Sequence, residues 1–402
     1  MKIVNQNKKS FHAYSLKLLS MYIISLPLIS YRFPRLSNVI FLFLFFLVLY
    51  RDSLKITTNK YYVPLILFII YASISLMWTS SEKSAALSSL FTIISCFLLL
   101  YIVTRVISSK NDFDTFMNAY LFGTYILVLY LLFYYGWSGL IDIMGEQKQR
   151  IAIDITQPNS VGQFTALSSL MAIYLGKKER QRRYFVIVVP LLFFLLASGS
   201  RGSFFAFAAG FVVLVFTGTR MKSKVVGLLI WASLFLFIVS QLSIFERIFD
   251  RFSSFFSFFT GEERMIDAST QVRFELMSNG LEMFKRNPVW GHGLNAFYYE
   301  YQQLVDFFSA PHNMYIYILV NHGLIGAFLW FLTPVMLLVR FIKQKSATKA
   351  FPLALLMTWL VFGISSDLVR DKNTYIILGF CIAYLGVYSF DNTNLLTYRR
   401  NE

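Results

Sequence analysis

Apolar stretches close to twenty residues long recur from one end of this chain to the other, and no soluble fold can bury them all. Fifty-six per cent of the 402 residues are hydrophobic, mean hydropathy is +0.58, and 43 Phe and 24 Tyr stand against 21 acidic residues. Repeated bilayer crossings are the architecture that accepts such runs. A β-barrel is excluded, because segments such as IFLFLFFLVLY (40–50) do not alternate between apolar and polar positions. The expected fold is therefore an all-α polytopic membrane protein.

Twelve crossings are predicted, at 13–30, 36–50, 61–77, 85–104, 116–136, 159–176, 184–198, 203–219, 225–241, 313–339, 351–366 and 374–390. Charge orients them. With the N-terminus inside, the cytoplasmic segments carry 22 Lys and Arg against 6 acidic residues, while the outer segments carry 14 against 15. Short basic loops such as KKERQRR (177–183) and RMKSK (220–224) fix the cytoplasmic side, by the bias that retains positive charge there. Both termini are expected to be cytoplasmic, and the first crossing reads as a retained signal anchor because no small-x-small cleavage pattern follows it. The net charge of +16 is thus topogenic and not a nucleic-acid footprint. Cys96 and Cys381 lie inside apolar runs and imply neither a disulfide nor a metal site.

The spans divide the chain into helices 1–9 (residues 1–241), a large outer segment (242–312) and helices 10–12 with a cytoplasmic tail (313–402). The outer segment is predicted to be a helical periplasmic cap. In IFERIFDRFSSFFSFF (244–259) phenylalanines recur at spacings of four and three, which makes one apolar helical face. In STQVRFELMSNGLEMFKRNP (269–288), Val272, Leu276, Met283 and Phe284 outline a second helix that Pro288 ends. The turn-rich NPVWGHGLNAF (287–297) follows, and the cap leaves little room for an independent core.

The topology carries separate polar motifs to one membrane face. QRIAIDITQPN (149–159), SGSRGS (198–203), Arg273, His312 and SSDLVRDKN (365–373) all fall outside. A guanidinium stays charged and offers a rigid fork of donors, so Arg150, Arg201 and Arg273 suit a pyrophosphate clamp. Each also has a plainer reading: Arg150 as a headgroup contact, Arg273 as the wet side of an amphipathic helix. Arg201 sits in a tiny turn between apolar spans, where a stray charge is costly. His312 in PHN has a side chain that can take a proton near neutrality, with Asn313 beside it; the same tripeptide is also an ordinary helix start. His292 lies in the Gly-rich turn, and His322 in NHG marks a helix break or a cavity floor. No histidine spacing recommends a metal, and no cofactor is expected.

Taken in order, RIAIDITQPNSVG (150–162), SGSRGS (198–203), STQVRFELMSNGLEMFKRNPVWGHGLNAF (269–297) and PHNMYIYILVNHGLIG (311–326) resemble the O-antigen ligase and polymerase superfamily of bacterial inner-membrane glycosyltransferases. The resemblance covers nearly the whole chain. It implies a periplasmic active site and a glycan donor carried on undecaprenyl pyrophosphate. The acceptor would be the next glycan unit for a polymerase, or lipid A-core for a ligase. Matched motif by motif, it implies catalytic Arg201, Arg273 and His312, with Arg150, Asn159, Asn313 and His292 contacting substrate. It implies no metal or nucleotide sugar, and a chain-length regulator among the partners. Family ligases often carry an acidic residue directly after the HN pair and another later in the helix. Here Met314 and Asn321 stand in those places, which tilts the reading toward a polymerase. A flippase for lipid-linked anions is the alternative from another class, but it would place charges at mid-membrane depth.

Overall fold

The computed structural model describes residues 2–32, 34–52, 58–145, 156–217, 268–305, 310–344 and 347–398. Its helices are α1 (Lys2–Arg32), α2 (Pro34–Arg51), α3 (Val63–Ile74), α4 (Lys83–Val106), α5 (Lys110–Gly145), α6 (Pro158–Glu179), α7 (Arg183–Ala197) and α8 (Arg201–Thr217). After them come α9 (Ala268–Arg286), α10 (Ala296–Val305), α11 (Met314–Lys343), α12 (Ala350–Phe362) and α13 (Lys372–Tyr398). No strand occurs among the described residues.

The all-helical expectation holds, and the reason is visible in α7. RYFVIVVPLLFFLLA is rich in β-branched and aromatic residues of poor helix propensity and even contains Pro190. In lipid the backbone has no water to bond, so a helix is what such a run forms. Among the described residues four segments can cross a membrane by length and composition: Ser10–Ile29, Lys83–Val106, Lys110–Ile143 and Met314–Lys343. Val39–Arg51, Val63–Met77, Arg183–Ala197, Arg201–Thr217 and Ala350–Phe362 are apolar but shorter. The other expected crossings at 159–176 and 374–390 fall within α6 and α13, and 225–241 lies outside the described residues.

Helices α1, α2, α4, α5 and α13 pack as one group, and α6, α7, α8 and α12 as another. One apolar core runs through both. Helix α6 is its polar exception: every residue from 161 to 172 is buried, including Gln163, Thr165, Ser168 and Ser169. Their hydroxyls bond inward, Ser168 donating to Thr124 at 2.7 Å and Ser169 to the Thr165 carbonyl at 2.8 Å. Large apolar side chains instead face outward on α3 (Val63, Leu67, Ile70) and α11 (Phe328, Val335, Val339), as a lipid solvent demands. At the end of α4 near Arg105, ion pairs join Asp52 to Arg51 and Arg105, and His12 meets Asp112. A cavity of about 620 Å³ opens there.

The 269–288 helix forms as α9, with corrections to its face. Leu276 and Met283 are fully buried and Phe284 partly so, but Val272 is 39 % exposed. The helix stops at Arg286, just short of Pro288. Helix α10 was not anticipated. Leu276 and Met283 cluster with Phe297 and Tyr301 of α10 and with Ile316 and Val320 of α11. The 268–305 stretch thus borrows part of its core from α11. The amphipathic 244–259 segment lies outside the described residues.

Within α11 the helix breaks at Gly323, whose φ of 61° and ψ of −164° are not helical, as the NHG sequence suggested. Pro288 and Val289 carbonyls accept from the amides of Leu324 and Ile325 just past the break. Residues 323–343 span about 30 Å at helical rise, the thickness of a bilayer's hydrocarbon. The 314–322 segment is therefore surplus to a crossing.

Candidate functional site

The link between α12 and α13, residues 363–371, is where the polar motifs meet. Ser198 ends α7, and Gly199 (φ 61°) turns the chain so that Arg201 opens α8. Gly202 seats directly on Ser365, which fills the space a Cβ would need. Ser200 donates to Asn159 at the start of α6 (3.1 Å) and shares a hydrogen bond with Ser203 (2.8 Å). Gly162 packs against Ser203 and Ser198. Asn159 is thus tied to the turn that carries Arg201.

On the other side of the link lies PHN. The Met314 amide donates to the Gly363 carbonyl at 2.8 Å, and the Tyr315 hydroxyl donates to the Leu360 carbonyl at 2.8 Å. His312 is half-buried with φ of +46°, a left-handed conformation uncommon for any residue but glycine and frequent at working sites. Asn313 is the N-cap of α11: its side-chain oxygen accepts from the amides of Tyr315 (2.9 Å) and Ile316 (3.1 Å). That gives Asn313 a holding part at the start of the helix. Arg201 and His312 thus flank the same short turn, although 111 residues separate them in sequence.

Register brings Arg273 to the same end. Gly280 of α9 sits on Ile316 of α11, and Leu324 donates to the Pro288 carbonyl. Both pairs differ by 36, so α9 runs parallel to the first part of α11. Arg273 lies seven residues before Gly280, toward the N-terminal end of α9, the end that runs alongside the start of α11. Arg150 lies outside the described residues.

His292 is occupied. Its Nδ1 is 2.7 Å from a Glu300 oxygen and its Nε2 is 2.7 Å from the Met283 carbonyl. The Glu300 hydrogen bond, aided by Met283, raises its pKa above the ordinary 6.5. Burial alone would push Glu300 up, but His292 and Ser80 together hold its carboxyl below the usual range. With both nitrogens engaged, His292 pins the 287–295 turn between α9 and α10.

The structure adds Arg370, which sequence reasoning saw only as part of an outer polar turn. Its guanidinium donates to Ser89 (3.0 Å), Asn295 (3.4 Å) and Asp367 (3.0 Å) and to the Tyr298 hydroxyl. It also lies over the rings of Tyr298 and Tyr317, at 5.1 and 5.3 Å. Next to it, Asp371 accepts from Gln163 (2.9 Å), and Gln163 in turn accepts from Asn373 (3.1 Å). Arg370 and Asp371 thus lock the link to α4, α6 and the 295–298 segment. Met314 and Asn321 serve packing as well. Met314 is fully buried against Gly363, while Asn321 accepts from the Phe297 amide (2.9 Å) and donates to the Tyr317 carbonyl (2.8 Å). No group of three His, Cys, Asp or Glu side chains able to hold a metal occurs among the described residues.

Fold and site together define an all-helical membrane protein with a polar cluster at one end of its bundle. Residues 185–331, a span that includes Arg201, Arg273 and His312, match the family model described as O-antigen ligase, which supports the O-antigen ligase and polymerase superfamily. No curated protein matches the chain. The chain thus joins helices long and apolar enough to cross a membrane with a segment similar to the O-antigen ligase family.

Proposed function

We propose that this protein joins surface-glycan repeat units, moving a glycan from undecaprenyl pyrophosphate to an acceptor sugar hydroxyl at the periplasmic face. The observation that carries the reading is that the Arg201 turn and the His312 helix start, both inside the family-matched segment, meet on the 363–371 link.

The acceptor hydroxyl oxygen attacks the anomeric carbon of the donor's first sugar. The bond from that carbon to the pyrophosphate oxygen breaks, and undecaprenyl pyrophosphate departs. His312 takes the hydroxyl proton. Arg201 and Arg273, with Arg150, meet the charge that grows on the leaving pyrophosphate, so they favour the transition state over the bound substrate. Asn159 holds the Arg201 turn, and Asn313 holds His312 by capping its helix. A single displacement inverts the anomeric centre and needs no metal, since pyrophosphate is already a good leaving group. Both termini are cytoplasmic in this reading, and a chain-length regulator is a natural partner.

The family description itself favours the second reading, a ligase that passes the glycan to lipid A-core. Met314 and Asn321 favour the polymerase, because both places are filled by buried packing residues where the family's ligases often carry acids. Deleting the gene and analysing surface glycan separates the two. A polymerase mutant leaves one repeat unit on lipid A-core; long chains stranded on the lipid carrier would instead make it a ligase. Unaltered glycan would overturn both.

A further inference from the structure

A second pocket lies beside the first site and has different chemistry. Trp78, after the 3₁₀ turn that follows α3, and Trp290, after α9, meet edge to face at 6.3 Å and 81°. They are 36 % and 55 % exposed. Together with Ser80, Asn287, His292 and Glu300 they line a cavity of about 500 Å³. That is within the usual range for small-molecule sites, roughly 300–1,000 Å³.

The walls are fixed. Tyr71 donates to the Trp290 carbonyl at 2.7 Å, and Asn287 donates its amide to the Gly291 carbonyl at 2.8 Å. Ser80 and His292 both converge on one Glu300 oxygen, each at 2.7 Å. A carboxylate has about four acceptor sites, so Glu300 retains capacity toward a ligand, as does the Asn287 side-chain oxygen. The floor is therefore acceptor-rich and close to neutral, with His292 balancing Glu300. No arginine is among the lining residues, and Arg286 acts on His292 and Glu300 only by charge from outside the lining. A sugar fits both halves: its hydroxyls need acceptors, and its C–H faces pack on indole rings.

We infer that Trp78 and Trp290 form a glycan-binding subsite, which holds a sugar residue of the chain away from the reacting end. The inference rests on the glycan-transfer reading. Distance supports the placement: the His292 amide donates to the carbonyl of Val320, six residues past Met314 at the start of α11, or about 9 Å at helical rise, and His312 precedes that start. That exceeds the reach of one sugar ring.

The test uses the full-length protein in lipid nanodiscs, with polysaccharide released by mild acid from the surface glycan of the producing cells as probe. Trp78→Ala and Trp290→Ala should each weaken binding by about tenfold, the size expected for one lost aromatic contact, while Trp290→Phe should keep most of it. Thermal melting of each variant separates lost binding from lost folding. His312→Ala should bind like the wild type yet fail to transfer, which keeps subsite and catalytic reading apart. If both Ala variants bind normally, the subsite is overturned. If they bind normally but lose retention in the bilayer, the tryptophans are membrane-interface anchors instead. A wild-type protein that binds no polysaccharide also overturns the subsite, and the deletion phenotype then judges glycan transfer on its own.

Discussion

His312 and His322 lie ten residues apart in one helical run and occupy opposite environments. His312 stands before the helix in a left-handed conformation, half-buried, two residues from the Met314 amide that bonds the Gly363 carbonyl of the link on which Gly202 sits. His322 is fully buried among the rings of Phe68, Tyr71 and Tyr317, at 5.0, 6.3 and 6.5 Å. Neither of its nitrogens has a hydrogen-bond partner among the described residues. A residue type says little until its surroundings are known: one imidazole stands half-buried on a left-handed backbone before the helix, while aromatic rings enclose the other.

Substitutions at four positions test that contrast, from the largest effect down. His312→Ala should cut glycan transfer by roughly 10²–10⁴-fold, the usual worth of a general base, with protein level and melting temperature unchanged. Transfer within a few-fold of wild type would remove His312 as the base. Gly323→Ala should destabilise the protein by about 3 kcal/mol, because the position needs positive φ and the Val289 backbone fills the space of a Cβ. Thermal unfolding in detergent measures it. An unshifted melt would show that the break between the two histidines is not enforced by the backbone.

Asn313→Ala should cost about 1 kcal/mol through the lost cap, and Asn313→Asp should restore stability. If Asp restores the melt but not the transfer, Asn313 also touches substrate and the PHN end is richer than a base and its cap. His322→Leu should change stability by no more than about 1 kcal/mol, because removing two unpaired buried nitrogens offsets the imperfect fit. Transfer should be retained. A tenfold loss of transfer with an unchanged melt would give His322 a working part and erase the contrast.

Hydropathy located the helices because lipid leaves a backbone no alternative, and runs such as RYFVIVVPLLFFLLA announce themselves. Helix α10 escaped notice because AFYYEYQQLV is short and mixed, and its burial depends on α9 and α11. The meeting of SGSRGS with PHN was legible only as a shared membrane face; that they abut one link follows from Gly202 on Ser365 and Met314 on Gly363. Arg370 escaped because its partners Ser89, Asn295 and Tyr298 are 281, 75 and 72 residues away. The ion pair of His292 was not legible, since nothing in a glycine-rich turn reveals that Glu300 folds back onto it. Gly293, with φ of +93°, makes that reversal possible.

The break at Gly323 has a consequence for how the protein lives in its bilayer. Residues 323–343 carry outward-facing Leu324, Phe328, Val335 and Val339, whereas 314–322 pack on α9 and on the link at 363. A thicker or thinner bilayer can tilt the spanning part about the break, at a cost of fractions of a kcal/mol per ångström of mismatch. His312 need not follow. Transfer measured across lipids of increasing acyl length should therefore stay nearly level, as expected of a reaction centre mounted on a gimbal.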